Sequence, residues 1–361
     1  MNKMIFLKQL DRIIGTLTTC VFQAANGSNA LLDHIERILV IRPGGIGDAV
    51  LLIPAIAALK KQYPQTVIHI LAEKRNSAIY SLCPDVNRVL HYDKLSQLLT
   101  AIRSDYDIVI DTEQWHRLSA VVARMTRAPI LIGYATNERK KLFTHSVHYS
   151  HDDYEVDSFL QLLKPLVEPV SVDLEKPFLT VPAATSDKIR LLLKPIKHKK
   201  IVALFPGGSI EERRWGSEQF HQVAKALVQY GFSVVVVGGR DDYKAGVEIA
   251  AGLHEAVSLC GILSLVETAA VLKEAELLVS GDSGILHVGF GMGIKTLSLF
   301  GPGIEKKWAP RGQKHAVINK KLDCSPCTKF GYTPKCKKNA ECMKQITVDE
   351  VIAKVLELAK G

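Results

Sequence analysis

The side chains best suited to chemistry lie in four short strings, three of them built round glycine. The first, Gly44-Gly45-Ile46-Gly47-Asp48, sets one carboxylate just after a glycine turn. Glycine tolerates unusual backbone angles and lets another group approach the main chain. An aspartate there either caps the following helix or offers its carboxylate to a ligand-facing crevice, and residue types alone leave both open. The second string, Pro206-Gly207-Gly208-Ser209, is followed by Arg213, Arg214 and Trp215. Its small residues free N–H groups and a hydroxyl for phosphate oxygens. A solvated basic loop is the plainer alternative, and Trp215 reads as core packing. The third is Gly281-Asp282-Ser283-Gly284 with His287. Ser283 and Gly284 at a helix N-terminus would bring N–H groups to a diphosphate. Asp282 is repelled by phosphate, so it either caps the helix or accepts from a sugar hydroxyl. His287 either donates to phosphate or fills a helix–sheet interface. The fourth is a C-x2-C-x8-C-x5-C cluster of Cys324, Cys327, Cys336 and Cys342. Four thiolates suit tetrahedral zinc or iron, and a closed four-ligand site leaves no open position for catalysis. Two disulfides are the oxidised alternative.

Each glycine string needs a strand before it and a helix after it. Ile38–Ile41 is a short apolar run, read as a buried parallel strand, and an apolar helical stripe runs from Asp48 to Tyr63. Pro54 should kink that helix or mark its true start. Val67–Leu71, Ile108–Asp111 and Pro129–Tyr134 read as further strands, and the βαβ rhythm implies a doubly wound parallel sheet. Asp111, Glu113, Trp115 and His116 follow one strand and either line the same crevice or form a surface loop. Asn137–Lys141 reads as a solvated basic face or as a holder of acceptor phosphates. The interdomain linker is expected in the proline-rich span Pro165–Pro195. Strands at Ile201–Phe205, Val234–Val237 and Leu277–Ser280 then build a second α/β unit. The glycine spacing matches neither the dinucleotide fingerprint nor the P-loop. Residues 1–36 form an extension in which Met4, Leu7, Ile14, Leu17 and Val21 fall at helical spacing beside Lys3, Lys8 and Arg12. That helix packs on the body or another subunit, or lies on a membrane surface. Cys20, Cys83 and Cys260 read as packing residues.

A chain of 361 residues exceeds one ordinary core, so two domains are expected. The net charge of +9 fits an acidic ligand such as a nucleotide sugar, but equally an anionic membrane or nucleic acid. No run reaches the ~18 apolar residues of a membrane span. Lys8, Asp11 and Arg12 interrupt the N-terminal apolar portion, which argues against a secretory signal. A cytoplasmic location follows, with the seven cysteines reduced unless metal-bound.

From Ile38 to the C-terminus these strings together resemble the heptosyltransferases, glycosyltransferase family 9, which includes the ADP-heptose:lipopolysaccharide enzymes. The resemblance implies α/β GT-B architecture: two Rossmann-like domains facing across a cleft, with an N-terminal helical extension. On that pattern residues 1–36 are the extension and 37–180 the acceptor-side domain. Residues 181–345 are the donor domain with its cysteine loop 324–342, and 346–361 a terminal helix returning toward the first domain. It implies an inverting transfer from ADP-heptose without a catalytic metal, Asp48 being the general base. Gly208, Ser209, Arg213, Arg214, Ser283, Gly284 and His287 fall where the family binds the donor diphosphate. Arg213 stands where a lysine is common, and Asp282 belongs to the same segment. Asp242 fits an acid on the ribose hydroxyls, where glutamate is commoner, and Leu263 faces the adenine. Some members hold iron in a comparable cysteine cluster, so structural zinc or iron is expected at Cys324, Cys327, Cys336 and Cys342. The implied acceptor is the lipopolysaccharide inner core, with a protein serine or threonine as rival. Peripheral inner-membrane contact and an oligomer are compatible; nucleic acid is not expected. Two competing readings are a nucleotide-sugar epimerase on the same fold and a basic cysteine-cluster binding module. The first needs several acid/base groups round the sugar. The second leaves the Gly281–His287 crevice without a purpose.

Overall fold

Short runs of branched apolar residues, each stopped by glycine, proline or a charged residue, set the strands. The computed structural model describes residues 11, 15–22, 34–168, 172–196, 199–329 and 332–360. It divides at Val172/Asp173 into two units.

In the first unit α1 (Thr16–Val21) precedes β1 (Arg37–Arg42), α2 (Ile46–Gln62), β2 (Val67–Ala72) and β3 (Arg88–His91). Then come α3 (Leu95–Arg103), β4 (Ile108–Asp111), α4 (Arg117–Met125), β5 (Ile130–Tyr134), β6 (His145–Val147) and α5 (Glu155–Gln161). The second unit begins with α6 (Ala183–Leu193), β7 (Ile201–Phe205), α7 (Ser217–Gln229), β8 (Ser233–Val236), α8 (Tyr243–Ala250) and β9 (Ala256–Ser258). It continues with α9 (Leu265–Lys273), β10 (Leu277–Gly281), α10 (Gly284–Gly291), β11 (Lys295–Phe300), α11 (Glu305–Trp308) and β12 (His315–Asn319). It ends with α12 (Glu341–Lys344) and α13 (Val348–Lys360).

The sheets run β3-β2-β1-β4-β5-β6 and β9-β8-β7-β10-β11-β12, one topology used twice. All pairings are parallel, so the strands are covered on both faces and read as continuous apolar runs. Strand order reverses between β1 and β4 and again between β7 and β10, and ligands of such sheets bind at the carboxyl ends beside that switch. Register sets Ile41 opposite Asp111 in one sheet and Phe205 opposite Ser280 in the other. Both switch points therefore end on the strings that carry the chemistry.

Several expectations shift. Pro54 neither starts nor ends α2, which runs unbroken from Ile46 to Gln62. The span expected as linker does hold the division at Val172/Asp173, but its second half folds into α6, with Leu179, Val181, Ile189 and Leu193 buried. Five short strands (β3, β6, β9, β11 and β12) escaped the sequence reading. The terminal helix α13 buries Val351 and Val355 in the core of the second unit. In the extension, Asp11 lies at the N-terminus of α4, its Oδ1 accepting from the Arg117 and Leu118 amides at 2.9 Å each. Burial opposes that charge, but His116 and the two amides hold the carboxyl below the usual range. Part of the extension thus belongs to the body. Met4, Leu7 and Ile14, and the side chains of Leu17, Cys20 and Val21, lie outside the description. Among the described residues no helix is long and apolar enough to cross a membrane.

Candidate active site

At the first switch point Gly44 takes φ +121°, a left-handed conformation that favours glycine, and a methyl there would lie 3.3 Å from Arg42 Nη2. The sharp turn carries the chain from β1 into α2, with Gly45 as N-cap and no side-chain cap. Asp48, in the first helical turn, is therefore not a cap. Its Oδ2 accepts from Arg42 Nη2 at 2.8 Å, and its Oδ1 makes no hydrogen bond among the described residues. Arg42 is 2% exposed and also donates from Nη1 to the Thr112 carbonyl at 2.8 Å and to Gln114 Oε1 at 3.3 Å. Its burial opposes its charge, but Asp48, Glu113 and Glu155 raise its affinity for the proton above the usual value.

Behind this pair lies a second buried set. Arg139 and Asp111, both fully buried, are ion-paired, and Arg139 also donates to the Glu113 carbonyl. Burial pushes the Asp111 carboxyl up despite Arg139. Glu113 goes the other way: burial opposes its charge, but Arg42, His116 and Arg139 hold it below the usual range. Glu155, fully buried, accepts from Gln114 Nε2 and from the Tyr149 hydroxyl at 3.1 Å. The Asn137–Lys141 string is consequently not a plain solvated face, because its central arginine is internal. Arg42, Gln114, Arg139 and Glu155 were missed as site residues. Their signal was a charged or polar residue abutting an apolar strand run or opening a short helix.

In the second unit the site is lined by glycine. A methyl on Gly207 would lie 2.2 Å from Asp242 Oδ1, and one on Gly303 2.1 Å from Asp282 Oδ2, so glycine there admits a carboxylate against the backbone. Asp242 ends the turn after β8, its Oδ2 accepting from the Gly239 amide at 2.8 Å. It is brought beside Gly207 and Gly238, while Leu263 is half-buried and Ser209 exposed. Asp282 neither caps α10 nor stands free. The cap is Ser283, whose hydroxyl accepts from Leu286 N, and Asp282 Oδ2 instead holds Arg213 Nη1 at 2.8 Å. Gly284 opens the helix and His287 is buried on it. Arg214 is exposed and donates to the Gly208 carbonyl at 2.7 Å from Nη2. Trp215 is core, its indole donating to the Ile346 carbonyl at 3.0 Å.

The cysteine loop adjoins this site. Cys327 and Thr328 amides donate to the Pro302 carbonyl at 3.1 and 2.9 Å, and the Cys336 amide donates to Glu212 Oε1 at 3.4 Å. Cys324 is exposed, Cys327 and Cys336 are half-buried, and Cys342 is buried with Met343 in the core. The loop thus packs more than its composition promised. Burial, then Cys336 and Cys324, push the Cys327 thiol up, with Arg213 pulling it down. Among the described residues no three ligand side chains are gathered closely enough to hold an ion. Cys83 and Cys260 are buried free thiols.

Two doubly wound sheets, each with polar groups at its switch point and one lined there by glycine, are the folds of a GT-B glycosyltransferase. Residues 95–338 match glycosyltransferase family 9 (heptosyltransferase), and the chain belongs to that family. Lipopolysaccharide heptosyltransferase 3 of Escherichia coli K12 is 28% identical over 291 residues, 73% of this chain and 82% of that one. The structure of the E. coli ADP-heptose lipopolysaccharide heptosyltransferase II superposes with TM-score 0.73 at 22% identity, over 90% of this chain and 98% of that one. The iron-containing dodecameric glycosyltransferase TibC of enterotoxigenic E. coli superposes with TM-score 0.58 at 15% identity, over 92% and 78%.

Proposed function

We propose that the chain transfers a heptose from ADP-heptose to a hydroxyl of the lipopolysaccharide inner core, inverting the anomeric centre. The observation that carries the reading is the Arg42–Asp48 pair. One carboxylate oxygen is fixed at 2.8 Å by a buried guanidinium, and the other makes no hydrogen bond among the described residues, in the first turn of α2 just past β1. In the proposed reaction the acceptor O–H gives its proton to Asp48 Oδ1 as its oxygen attacks the anomeric carbon. The bond from that carbon to the β-phosphate oxygen breaks, and ADP leaves with the electron pair. Ser209, Arg213 and the Ser283–Gly284 amides of the α10 N-terminus stabilise the departing charge, with Arg214 and His287 beside them. Asp242 takes the ribose hydroxyls and Leu263 the adenine. The ADP-heptose donor and lipopolysaccharide acceptor named for the relatives support this choice.

The deciding experiment offers ADP-heptose with a lipid-core acceptor and, separately, serine- or threonine-bearing protein. Transfer to the core with inverted configuration is expected. Transfer to protein alone would replace the acceptor, and no transfer from ADP-heptose would overturn the donor.

The reading extends to the cysteine loop. Cys324, Cys327 and Cys336 lie on one loop and Cys342 on α12 just after it, although no three ligand side chains are gathered among the described residues. Their donor chemistry suits one tetrahedral zinc or iron ion, held by Cys324, Cys327, Cys336 and Cys342 as a brace for the loop. The iron of the TibC neighbour supports it. Elemental analysis of protein purified without chelator should give about one ion per chain, and Cys327→Ser should lose it together with thermal stability. Less than about a tenth of an ion, with four titratable thiols, would sink the brace.

A further inference from the structure

We propose that Thr328 and Thr333, on the cysteine loop, are positioning residues that hold Arg213 for the donor diphosphate; the inference rests on the reading of Arg213 as a diphosphate ligand. Arg213 ends the short turn Glu211–Arg213, and a free arginine there would sample many rotamers. It is instead held on two sides. Nη1 is ion-paired with Asp282 Oδ2 at 2.8 Å, while Nη2 donates to Thr328 Oγ1 at 3.3 Å and Thr333 Oγ1 at 3.4 Å. The two hydroxyls bond each other at 2.8 Å, so each fixes the other's direction.

The hydroxyl pair has a rigid mounting. Thr328 is 3% exposed, its amide donates to the Pro302 carbonyl at 2.9 Å, and the Ser325 hydroxyl donates to the Gly301 carbonyl. The Cys336 amide reaches Glu212, the residue next to Arg213. The loop is therefore tied to the turn after β11 and to the turn that carries the arginine.

The chemistry of the two holders differs. A carboxylate orients a guanidinium but cancels its charge. A hydroxyl orients it and leaves the charge in place. With Asp282 alone, Arg213 would sit in a closed ion pair. The threonine pair directs the Nη2 edge without neutralising it, and Nε, buried and without a partner among the described residues, stays uncommitted. An arginine fixed in advance loses less entropy on meeting a phosphate.

The test measures ADP binding by calorimetry on the full chain for Thr328→Val, Thr333→Val and the double variant, each also in an Arg213→Ala background. The double variant should raise the ADP Kd about 3- to 10-fold and lower kcat/KM for the donor by at least as much. Thr328→Ser and Thr333→Ser should keep wild-type affinity. In the Arg213→Ala background, itself weaker by more than about tenfold, the threonine substitutions should cost nothing further. Equal losses in both backgrounds would mean that the threonines only build the loop, and the inference falls. Undiminished ADP affinity in the double variant, with Arg213→Ala impaired, also overturns it while sparing the donor site. Undiminished affinity in Arg213→Ala removes the donor reading itself and the inference with it.

Discussion

The two units share one strand order but treat the switch point in opposite ways. In the first, Arg42, Arg139, Asp111 and Glu155 are sealed at 2% exposure or less, and one half-exposed carboxylate is held at their edge. In the second, glycine lines the strand ends, and a single pair of Arg213 with Asp282 stands in place of the charge cluster. Buried charges are costly to assemble and stiff once assembled, which suits a group that must keep one position. Bare backbone suits a ligand that brings its own charge and needs N–H groups within reach. On the proposed reading, one topology serves a fixed reactive group in one half and a phosphate cradle in the other.

The contrast can be broken most severely at Arg139. Arg139→Met strands the Asp111 carboxylate in the interior and should cost about 3–5 kcal/mol. Hydrogen exchange should locate the loss in the first sheet, and unchanged protection of β4 and β5 amides would show the cluster to be dispensable. Next comes Asp48→Asn, which keeps the shape and removes the base. Turnover should fall by roughly 10²-fold or more while ADP affinity and melting temperature stay put. Near-normal turnover would move the base elsewhere. The smallest effect belongs to the second sheet. His315, half-buried beside Phe290 and bonded to Thr296 Oγ1 at 2.9 Å, has its pKa lowered to about 4, chiefly by burial. The unfolded chain then binds the proton that the folded one refuses, so stability is full above the ordinary value near ~6.5 and declines as pH falls toward 4. The decline should reach about 2 kcal/mol, and His315→Gln should flatten it in denaturant titrations between those pH values. An unchanged slope would discard the role.

Strands that end on a signal residue could be read directly: Ile108–Asp111 and Ile201–Phe205 were placed to the residue. Short strands such as His145–Val147 and Ala256–Ser258 could not, because so few residues carry no measurable alternation and depend on the sheet beside them. The glycine strings announced where side chains would crowd the backbone, as Asp242 does at Gly207, since close approach leaves its mark in residue size. Pairings were hidden. Arg139 with Asp111 and Arg213 with the threonines join positions that are distant in sequence, and Arg42 meets Asp48 only through the turn at Gly44. Asp282 shows the limit plainly: its neighbourhood in sequence suggested a cap, whereas its partner lies on a different turn.

The Asp11 contact changes how the first residues should be regarded. Lifting them away would leave the opening amides of α4 turned toward nothing but solvent, at the mouth of a helix that lines the first core with Ala120 and Ala123. A residue that reads along the chain as part of an extension is, in space, a rivet at the end of a helix.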